Sequence, residues 1–132
     1  MPVAISDSHR DLLERPVIPH VATIMEDGTP RITPTRFYFD GTHILFTTTP
    51  SHIVYKTLRS RPQASISLQD PDQSFRSLEV RAVVEAIEPD PEARLLAIVG
   101  RKYEIDFPAP TTLPSDRVIL RLRPLSAITS EE

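Results

Sequence analysis

The sequence is short of the residues on which many catalytic sites depend. It has no cysteine and only 3 glycines among 132 residues. Without cysteine the chain can form no disulfide, no thiolate metal site and no cysteine nucleophile. So few glycines could not build a Walker loop or a dinucleotide-binding fingerprint, and neither motif occurs. Nucleotide hydrolysis and Rossmann-type cofactor binding are therefore disfavoured.

Charge and hydropathy exclude further partners. The chain has 15 basic and 18 acidic residues, a formal net charge of -3, so it offers no broad cationic surface for nucleic acid or anionic lipid. No apolar run approaches the ~20 residues that cross a bilayer. The first residues lack the basic and apolar regions of a signal peptide. We expect a cytoplasmic protein that binds neither nucleic acid nor membrane.

Side-chain chemistry alone gives little support for catalysis. The spacing of the four histidines is not typical of metal ligands. They are His9, His20, His43 and His52. No Gly-x-Ser-x-Gly elbow is present, which disfavours nucleophilic hydrolysis. The adjacent acids Glu26 and Asp27 are better explained as exposed turn residues than as an acid and a base. Any chemistry would therefore come from a bound cofactor.

The periodicity predicts an all-β domain, a small antiparallel barrel with a few helices, over residues 1–132. The predicted strands are 20–25, 31–39, 43–48, 64–68, 78–87 and 117–123, the last extended by 125–128. Asp27-Gly28 and Asp40-Gly41 supply the positive φ of tight hairpin turns. Helices are predicted over 7–15 and after Asp90, and the proline-rich 106–116 is predicted as an extended loop.

The segment after the third strand predicts an anion site at the start of a helix. Thr49 can cap the helix and Pro50 suits its first position, which would leave free amides for a phosphate. His52, Lys56 and Arg59 recur on one helix face, and Ile53, Val54, Thr57 and Leu58 on the other. Two interpretations stay open. The stripe is either a phosphate clamp completed by the hydroxyls of 47–51, or an ordinary solvated face.

Pro34 interrupts the predicted second strand. Proline cannot donate to a β-ladder, so this position belongs at an edge, a bulge or a gap that a ligand could approach. If the second and third strands are neighbours ~4.8 Å apart, Thr33, Thr35 and Arg36 would share a rim with Thr47 and Thr48. The alternative is that these threonines are simply good strand formers.

The order of elements and several motifs resemble the pyridoxamine 5'-phosphate oxidase-like FMN-binding split barrels. The likeness is strongest to the branch of deazaflavin (coenzyme F-420) dependent reductases that includes biliverdin reductases. It covers roughly 12–126. The matching stretches are Val21-Ala-Thr-Ile, Phe39-Asp-Gly, Leu58-Arg-Ser-Arg-Pro-Gln-Ala-Ser-Ile66, Ser77-Leu-Glu-Val-Arg-Ala82 and Arg101-Lys-Tyr103.

The resemblance implies a Greek-key antiparallel barrel that forms a homodimer with cofactor sites at the subunit interface. It implies hydride transfer between reduced coenzyme F-420, or FMN, and a small conjugated organic substrate. The residues that would contact the cofactor are Thr33, Thr35, Thr47, Thr48, Thr49, Ser51, His52, Lys56 and Thr57, with Arg36 at the rim.

The chain departs from the family pattern at a few positions. Val54 stands where relatives have a phosphate-binding lysine, Thr57 where they often have asparagine, and Val80 where they often have a glycine close to the cofactor. Lys56 or His52 could replace the lysine, but two residues turn a helix by about 200°, so Lys56 projects from a different face. These departures keep open a non-catalytic flavin- or tetrapyrrole-binding dimer, or a structural dimer with a vacant pocket.

Overall fold

One antiparallel sheet organises the described part of the chain, residues 5–107 and 115–131 of a computed structural model. Its 7 strands are β1 His20–Ile24, β2 Pro30–Pro34, β3 Tyr38–Phe39, β4 Ile44–Thr48, β5 Gln63–Gln69, β6 Ser77–Pro89 and β7 Val118–Ser130. The helices are α1 Asp11–Glu14, α2 Ile53–Ser60 and α3 Arg94–Tyr103. The predicted class, all-β with a few helices, is confirmed.

The strand order is β2-β1-β5-β6-β7-β4-β3. Neighbours in the sheet are therefore often distant in the chain, as Greek-key connections require. The hairpins β1–β2 and β3–β4 close through Gly28 and Gly41, whose φ angles are 87° and 100°. Most of the predicted proline loop, residues 108–114, lies outside the described residues. None of the helices in the described ranges is long and apolar enough to span a membrane.

β5 buries alternate residues, as its sequence predicts. In β5 the inward residues are Ala64, Ile66 and Leu68, and all three are buried in the barrel core. β6 pairs with β5 on one side and with β7 on the other. Its register with β7 shifts between Arg81 and Ala82 and between Val84 and Ala86. Such irregularities bend a strand, which helps one long strand follow the barrel wall.

The predicted strand 31–39 is wrong as a single element, because the structure divides it. β2 ends at Pro34 and pairs with β1, whereas β3 pairs with β4. Pro34 has no amide to continue the ladder, and the next amide, of Thr35, donates to Pro19 O at 3.1 Å. In the sheet order, β1, β5, β6 and β7 separate β2 from β4. The Tyr38–Phe39 end of the predicted second strand does neighbour the third, but the expectation is wrong for the part that contains Thr33.

The helix starts differ from the predictions in ways that depend on hydrogen bonding. α1 covers only Asp11–Glu14 of the predicted 7–15, and turns precede it. α2 begins at Ile53 rather than Pro50, so Thr49 is not its cap. The Thr49 hydroxyl is engaged locally, 2.9 Å from Ser51 Oγ. For α3 the predicted role of Asp90 is confirmed. Its carboxylate accepts hydrogen bonds from the first helical amides, those of Arg94 and Leu95, each at 3.0 Å.

β4 lies between two separate cores. Ile44 and Phe46 point into the barrel interior. Leu45, on the opposite face, packs with Leu95 and Val99 of α3. The helix predicted after Asp90 therefore packs on the barrel of its own chain.

An ion-pair cluster holds α1 against the connection between β5 and β6. Arg76 donates to both Asp11 and Asp70, the latter at 2.8 Å. Arg15 also contacts Asp11, at 3.2 Å, and Asp72, at 2.7 Å. The hydrogen bond from Arg76 is the largest cause that lowers the pKa of Asp11, to about 2. The pKa of the buried Asp70 is also lowered, first by the hydrogen bond from the Asp72 amide and then by the one from Arg76.

We expect Arg76→Met to lower the urea midpoint of unfolding at pH 7, and the difference from wild type to shrink as pH falls from 4 to 2. A carboxyl whose folded pKa is depressed stabilises the fold above its unfolded pKa of 3.8. That contribution is lost as Asp11 is protonated. Urea titrations at several pH values measure it. Arg94→Met is the control, because the Arg94–Glu92 pair is exposed on both sides. Equal losses in both variants at every pH would contradict the assignment.

Candidate functional site

The threonines at the end of β4 do not share one face. Thr48 is 2% exposed, and its Oγ1 lies 2.9 Å from His52 Nδ1. Thr47 has the opposite parity, and its hydroxyl accepts a hydrogen bond from Arg117 Nη1 at 2.9 Å. The structure therefore brings Thr48 to the start of α2 and directs Thr47 elsewhere.

A short turn, residues 49–52, connects β4 to α2, and we call it the β4–α2 turn. The amide of His52 donates to Thr49 O at 3.1 Å, and the hydroxyls of Thr49 and Ser51 lie 2.9 Å apart. Thr49 is buried, whereas Ser51 and His52 are exposed. Thr48, Thr49, Ser51 and His52 thus form one continuous group of polar side chains.

The start of α2 is electrostatically suited to an anion. His52 occupies the N-cap position in an extended conformation, and no side chain caps the helix. The first helical amides have no acceptor within the helix, and they form its positive end. The first turn contains no acidic residue, and the side chain of Lys56 is exposed just after it. Nothing negative in α2 itself therefore competes with an anionic ligand there.

The inner face of α2 is occupied by packing. Thr57 is buried, and its hydroxyl donates to Ile53 O at 3.0 Å and Val54 O at 3.1 Å, so its proton is used within the helix. Val54 is partly buried and packs on the barrel core. Ile53 was predicted on this apolar face, but it is 45% exposed. The difference follows from the position of Leu58, which is 1% exposed and sets the buried side of α2.

The residues predicted on the second strand lie apart in the sheet order. Thr33 stands opposite Val21 in the β1–β2 ladder, and its hydroxyl accepts a hydrogen bond from Arg31. Thr35 is partly buried just after β2, and Arg36 is exposed. The β-pairing does not join these residues to the β4–α2 turn. Their role in cofactor binding stays a prediction.

Val80 does not face the surface of the sheet. It is fully buried in the barrel core, opposite Ile66 in the β5–β6 ladder. Its branched side chain is therefore accommodated by core packing. The Val80 side chain therefore does not reduce the space for a cofactor at the outer surface of β6.

Sequence reasoning missed Arg117. Besides donating to Thr47, it has an Nε atom that is buried without a hydrogen-bond partner among the described residues. Burial lowers the pKa of Arg117, and the nearby carboxylates of Asp90 and Asp116 oppose that shift. No local motif signals this arginine, because its partner Thr47 is 70 residues away in the chain.

Sequence reasoning also missed the setting of Lys102. This residue belongs to the Arg101-Lys-Tyr103 motif that resembles the family, but the sequence does not indicate what its side chain contacts. In the structure its ammonium donates to Leu13 O at 2.9 Å and Phe37 O at 3.1 Å, and it lies 3.7 Å from the centre of the Phe37 ring. Burial lowers the pKa of Lys102 to about 8, while the charge of Glu14 opposes the shift. Lys102 lines a cleft of about 610 Å³ between α1, β3 and α3.

The outer face of the sheet carries several exposed apolar side chains. The β-ladders align Ile32, Ala22, Ser65, Arg81 and Ser126 in one row across five strands. Two clefts of about 370 and 380 Å³ lie on this face. Four large exposed apolar side chains lie on or beside this face, namely Ile24, Ile32, Leu125 and Ile128, whereas the exposed Ile87 of β6 lies beyond the second register shift. We call these four residues the outer patch.

Comparison with known proteins supports the resemblance. The family model of pyridoxamine 5'-phosphate oxidase matches residues 5–129. A solved structure described as an F420 reductase is 35% identical, with a TM-score of 0.89, and the match covers 94% of this chain and 98% of that one. No curated protein matches the sequence.

More distant structures share the fold. The conserved hypothetical protein Rv2991 from Mycobacterium tuberculosis is 23% identical with a TM-score of 0.77, covering 98% of this chain and 87% of that one. The heme storage protein HutZ from Vibrio cholerae is 19% identical with a TM-score of 0.71, covering 97% and 96%. At these identities the likeness concerns the fold alone. The family match and the more similar F420 reductase show that this chain belongs to the pyridoxamine 5'-phosphate oxidase family and has its split-barrel fold.

Proposed function

We propose that this chain is an oxidoreductase that transfers a hydride between reduced coenzyme F-420, or FMN, and a small conjugated organic substrate. The observation that carries the proposal is the uncapped, acid-free start of α2 beside His52 and Lys56. Its context is a chain 35% identical to an F420 reductase along nearly its whole length. The cytoplasmic location expected from the sequence stays a prediction.

The residues at the start of α2 fit the anionic part of such a cofactor. Ser51 and His52 are exposed donors, the first amides of α2 lack helical acceptors, and Lys56 adds a nearby cation. Charge-assisted hydrogen bonds of this kind are the stronger ones in proteins. Thr48 would act through His52, because its hydroxyl contacts the imidazole Nδ1. Thr57 fits less well, since its proton is donated within the helix.

When bound, the reduced ring would supply the hydride, so the chain's own task is to hold and shield it. The β4–α2 turn would orient the cofactor, and burial of Thr48 and Thr49 gives that turn a rigid base. We assign no residue of this chain a proton-transfer role. Such a division of labour is usual for enzymes whose cofactor carries the reactive atoms.

We further propose that the chain acts as a homodimer through the outer patch. Ile32 is 67% exposed and Ile128 54% exposed, which is unusual for isoleucine on a stable sheet face. Glu79 and Arg81 share this face, so it offers charges of both signs to a second copy. In this family-based proposal, the partner completes the cofactor pocket.

A non-catalytic role is the second candidate, and Val54 favours it. The side chain at this position packs on the core instead of offering the family's lysine to a phosphate. The fold is also shared by a heme storage protein, HutZ, at 19% identity. Under this alternative the dimer binds a flavin or tetrapyrrole without turning it over. Tight binding without turnover of any quinone, nitro or tetrapyrrole acceptor would favour it over the enzyme.

We expect coenzyme F-420 to bind saturably and Lys56→Gln to weaken that binding by at least about threefold, since one exposed cation contributes modestly. His52→Ala should weaken binding as well, because it also releases Thr48. Fluorescence titration of the purified protein measures both effects. Arg94→Gln is the matched control, being a highly exposed cation on another helix. Absence of saturable binding to F-420 and to FMN would end the cofactor proposal.

Salt should separate the two cofactors. The longer acidic tail of F-420 can reach Lys56 and Arg59, whereas FMN brings one phosphate. We expect F-420 affinity to fall more steeply than FMN affinity between ~0.01 M and ~0.1 M salt, where the Debye length shortens from ~30 Å to ~10 Å. The Arg59→Gln variant should flatten the F-420 dependence and leave that of FMN unchanged. Identical salt slopes for both cofactors would contradict this use of Arg59.

The dimer is tested by placing charge in the outer patch. We expect the double variant Ile32→Glu with Ile128→Glu to be a monomer. In a dimer, each subunit would bury two unpaired carboxylates in the shared interface. Light scattering coupled to size exclusion gives the mass. Phe75→Glu is the control, since Phe75 is 52% exposed in the connection between β5 and β6. A monomeric wild-type protein, or a variant that stays dimeric, would contradict the proposed interface.

A further inference from the structure

The cleft between α1, β3 and α3 has the size and shape of a small-molecule site. Its volume is about 610 Å³, and known ligand pockets span roughly 300–1,000 Å³. Tyr38 and Ile98 give it apolar walls, and Glu14, Arg101 and Lys102 give it charges. None of the residues predicted to hold the flavin-type cofactor lines it. The cleft therefore calls for an explanation of its own.

The charge in this cleft is positive, in contrast to the net charge of -3 of the whole chain. Arg101 and Lys102 outnumber the single carboxylate, Glu14. Glu14 is also 3.6 Å from Arg10 Nε, one turn earlier, so part of its charge is already balanced. A concave surface with excess positive charge concentrates anions.

Lys102 is held in place before any ligand arrives. Its ammonium donates to the carbonyls of Leu13 and Phe37 and sits over the Phe37 ring. These contacts use at most two of its three protons and fix the side chain, so little conformational entropy would be lost on binding an anion. The partly buried setting also strengthens its attraction to a negative group.

We propose that this cleft binds a small aromatic carboxylate, with its ring against Tyr38 and Ile98 and its carboxylate between Arg101 and Lys102. An apolar body satisfies the walls, and the Tyr38 ring favours a flat one. A carboxylate satisfies the cations, and the planar guanidinium of Arg101 can hold it with two parallel hydrogen bonds. A neutral ligand of the same shape would bring no negative charge to either cation.

The test compares 2-naphthoate with 2-naphthamide, which has the same ring system and no charge. Both are titrated into the full-length protein by calorimetry, and amide shifts of residues in the cleft are followed by NMR. The variants are Arg101→Gln and Glu14→Gln, both at positions where the side chain is largely exposed, so the fold should persist. Arg94→Gln serves as the control on the same helix, with 78% side-chain exposure.

We expect saturable naphthoate binding that Arg101→Gln weakens at least about fivefold, the effect of losing one charge-assisted contact. Glu14→Gln should tighten binding, and Arg94→Gln should leave it unchanged. The opposite signs at Arg101 and Glu14 cannot arise from general destabilisation. The proposal is overturned if naphthamide binds as tightly as naphthoate, if Arg94→Gln and Arg101→Gln weaken binding equally, or if naphthoate does not saturate.

The pH dependence of naphthoate affinity tests the role of Lys102 independently. The groups that face Lys102 are Glu14 from α1, Tyr38 from β3, and Arg101 and Tyr103 from α3. Burial places the pKa of Lys102 at about 8 and raises that of Tyr103 to about 12. Lys102 is charged below its pKa, so naphthoate affinity should fall between pH 7 and pH 9. Lys102→Met should remove this fall, and a wild-type affinity constant over that range would exclude Lys102 from the site.

Naphthoate binding in the cleft can be measured independently of the proposed oxidoreductase function. Naphthoate titrations are run without coenzyme F-420 and again in its presence. Binding in the cleft without any binding of F-420 or FMN would support this inference while ending the cofactor proposal. F-420 binding without saturable naphthoate binding would do the reverse.

Discussion

The position of β4 between two cores constrains every candidate site in this protein. Ile44 and Phe46 are committed to the barrel interior and Leu45 to α3. A shift of one residue would exchange these faces and place each side chain against the wrong core, so the register is strongly fixed. The same alternation then runs on through the threonines that follow. It sends Thr48 to the β4–α2 turn and Thr47 to Arg117.

The features that sequence reasoning predicted correctly depend on local interactions. Gly28 and Gly41 supply positive φ within their own turns, and Asp90 caps amides four and five residues ahead. The errors arose where local signals allow more than one outcome. Pro34 signals an interruption, but whether the chain resumes beside the same strand depends on long-range pairing. Thr49 and Pro50 form a valid helix start, yet the Thr49 hydroxyl contacts Ser51 instead.

Prediction of the candidate site was limited in the same way, because the sequence indicates local contacts but not contacts between distant residues. The sequence indicated which polar residues cluster near α2, because they are close in the chain. It could not show which face each occupies, since that depends on the partners of β4. It assigned no contacts to Arg117 or Lys102, whose partners are distant. The Lys102 ammonium binds carbonyls 89 and 65 residues away, and only the folded chain brings α1, β3 and α3 together.

The packing of α2 also bears on the kind of anion it can hold. Val54 and Leu58 commit one side of the helix to the core, so its cations, Lys56 and Arg59, are exposed. An exposed cation gains little from a single phosphate, because water and salt screen it. A ligand with several acidic groups can engage the helix start and both cations at once, and their small contributions then combine. Under the proposed function, Val54 adds no cation to the helix start, so a long acidic cofactor such as F-420 would gain more from α2 than FMN would.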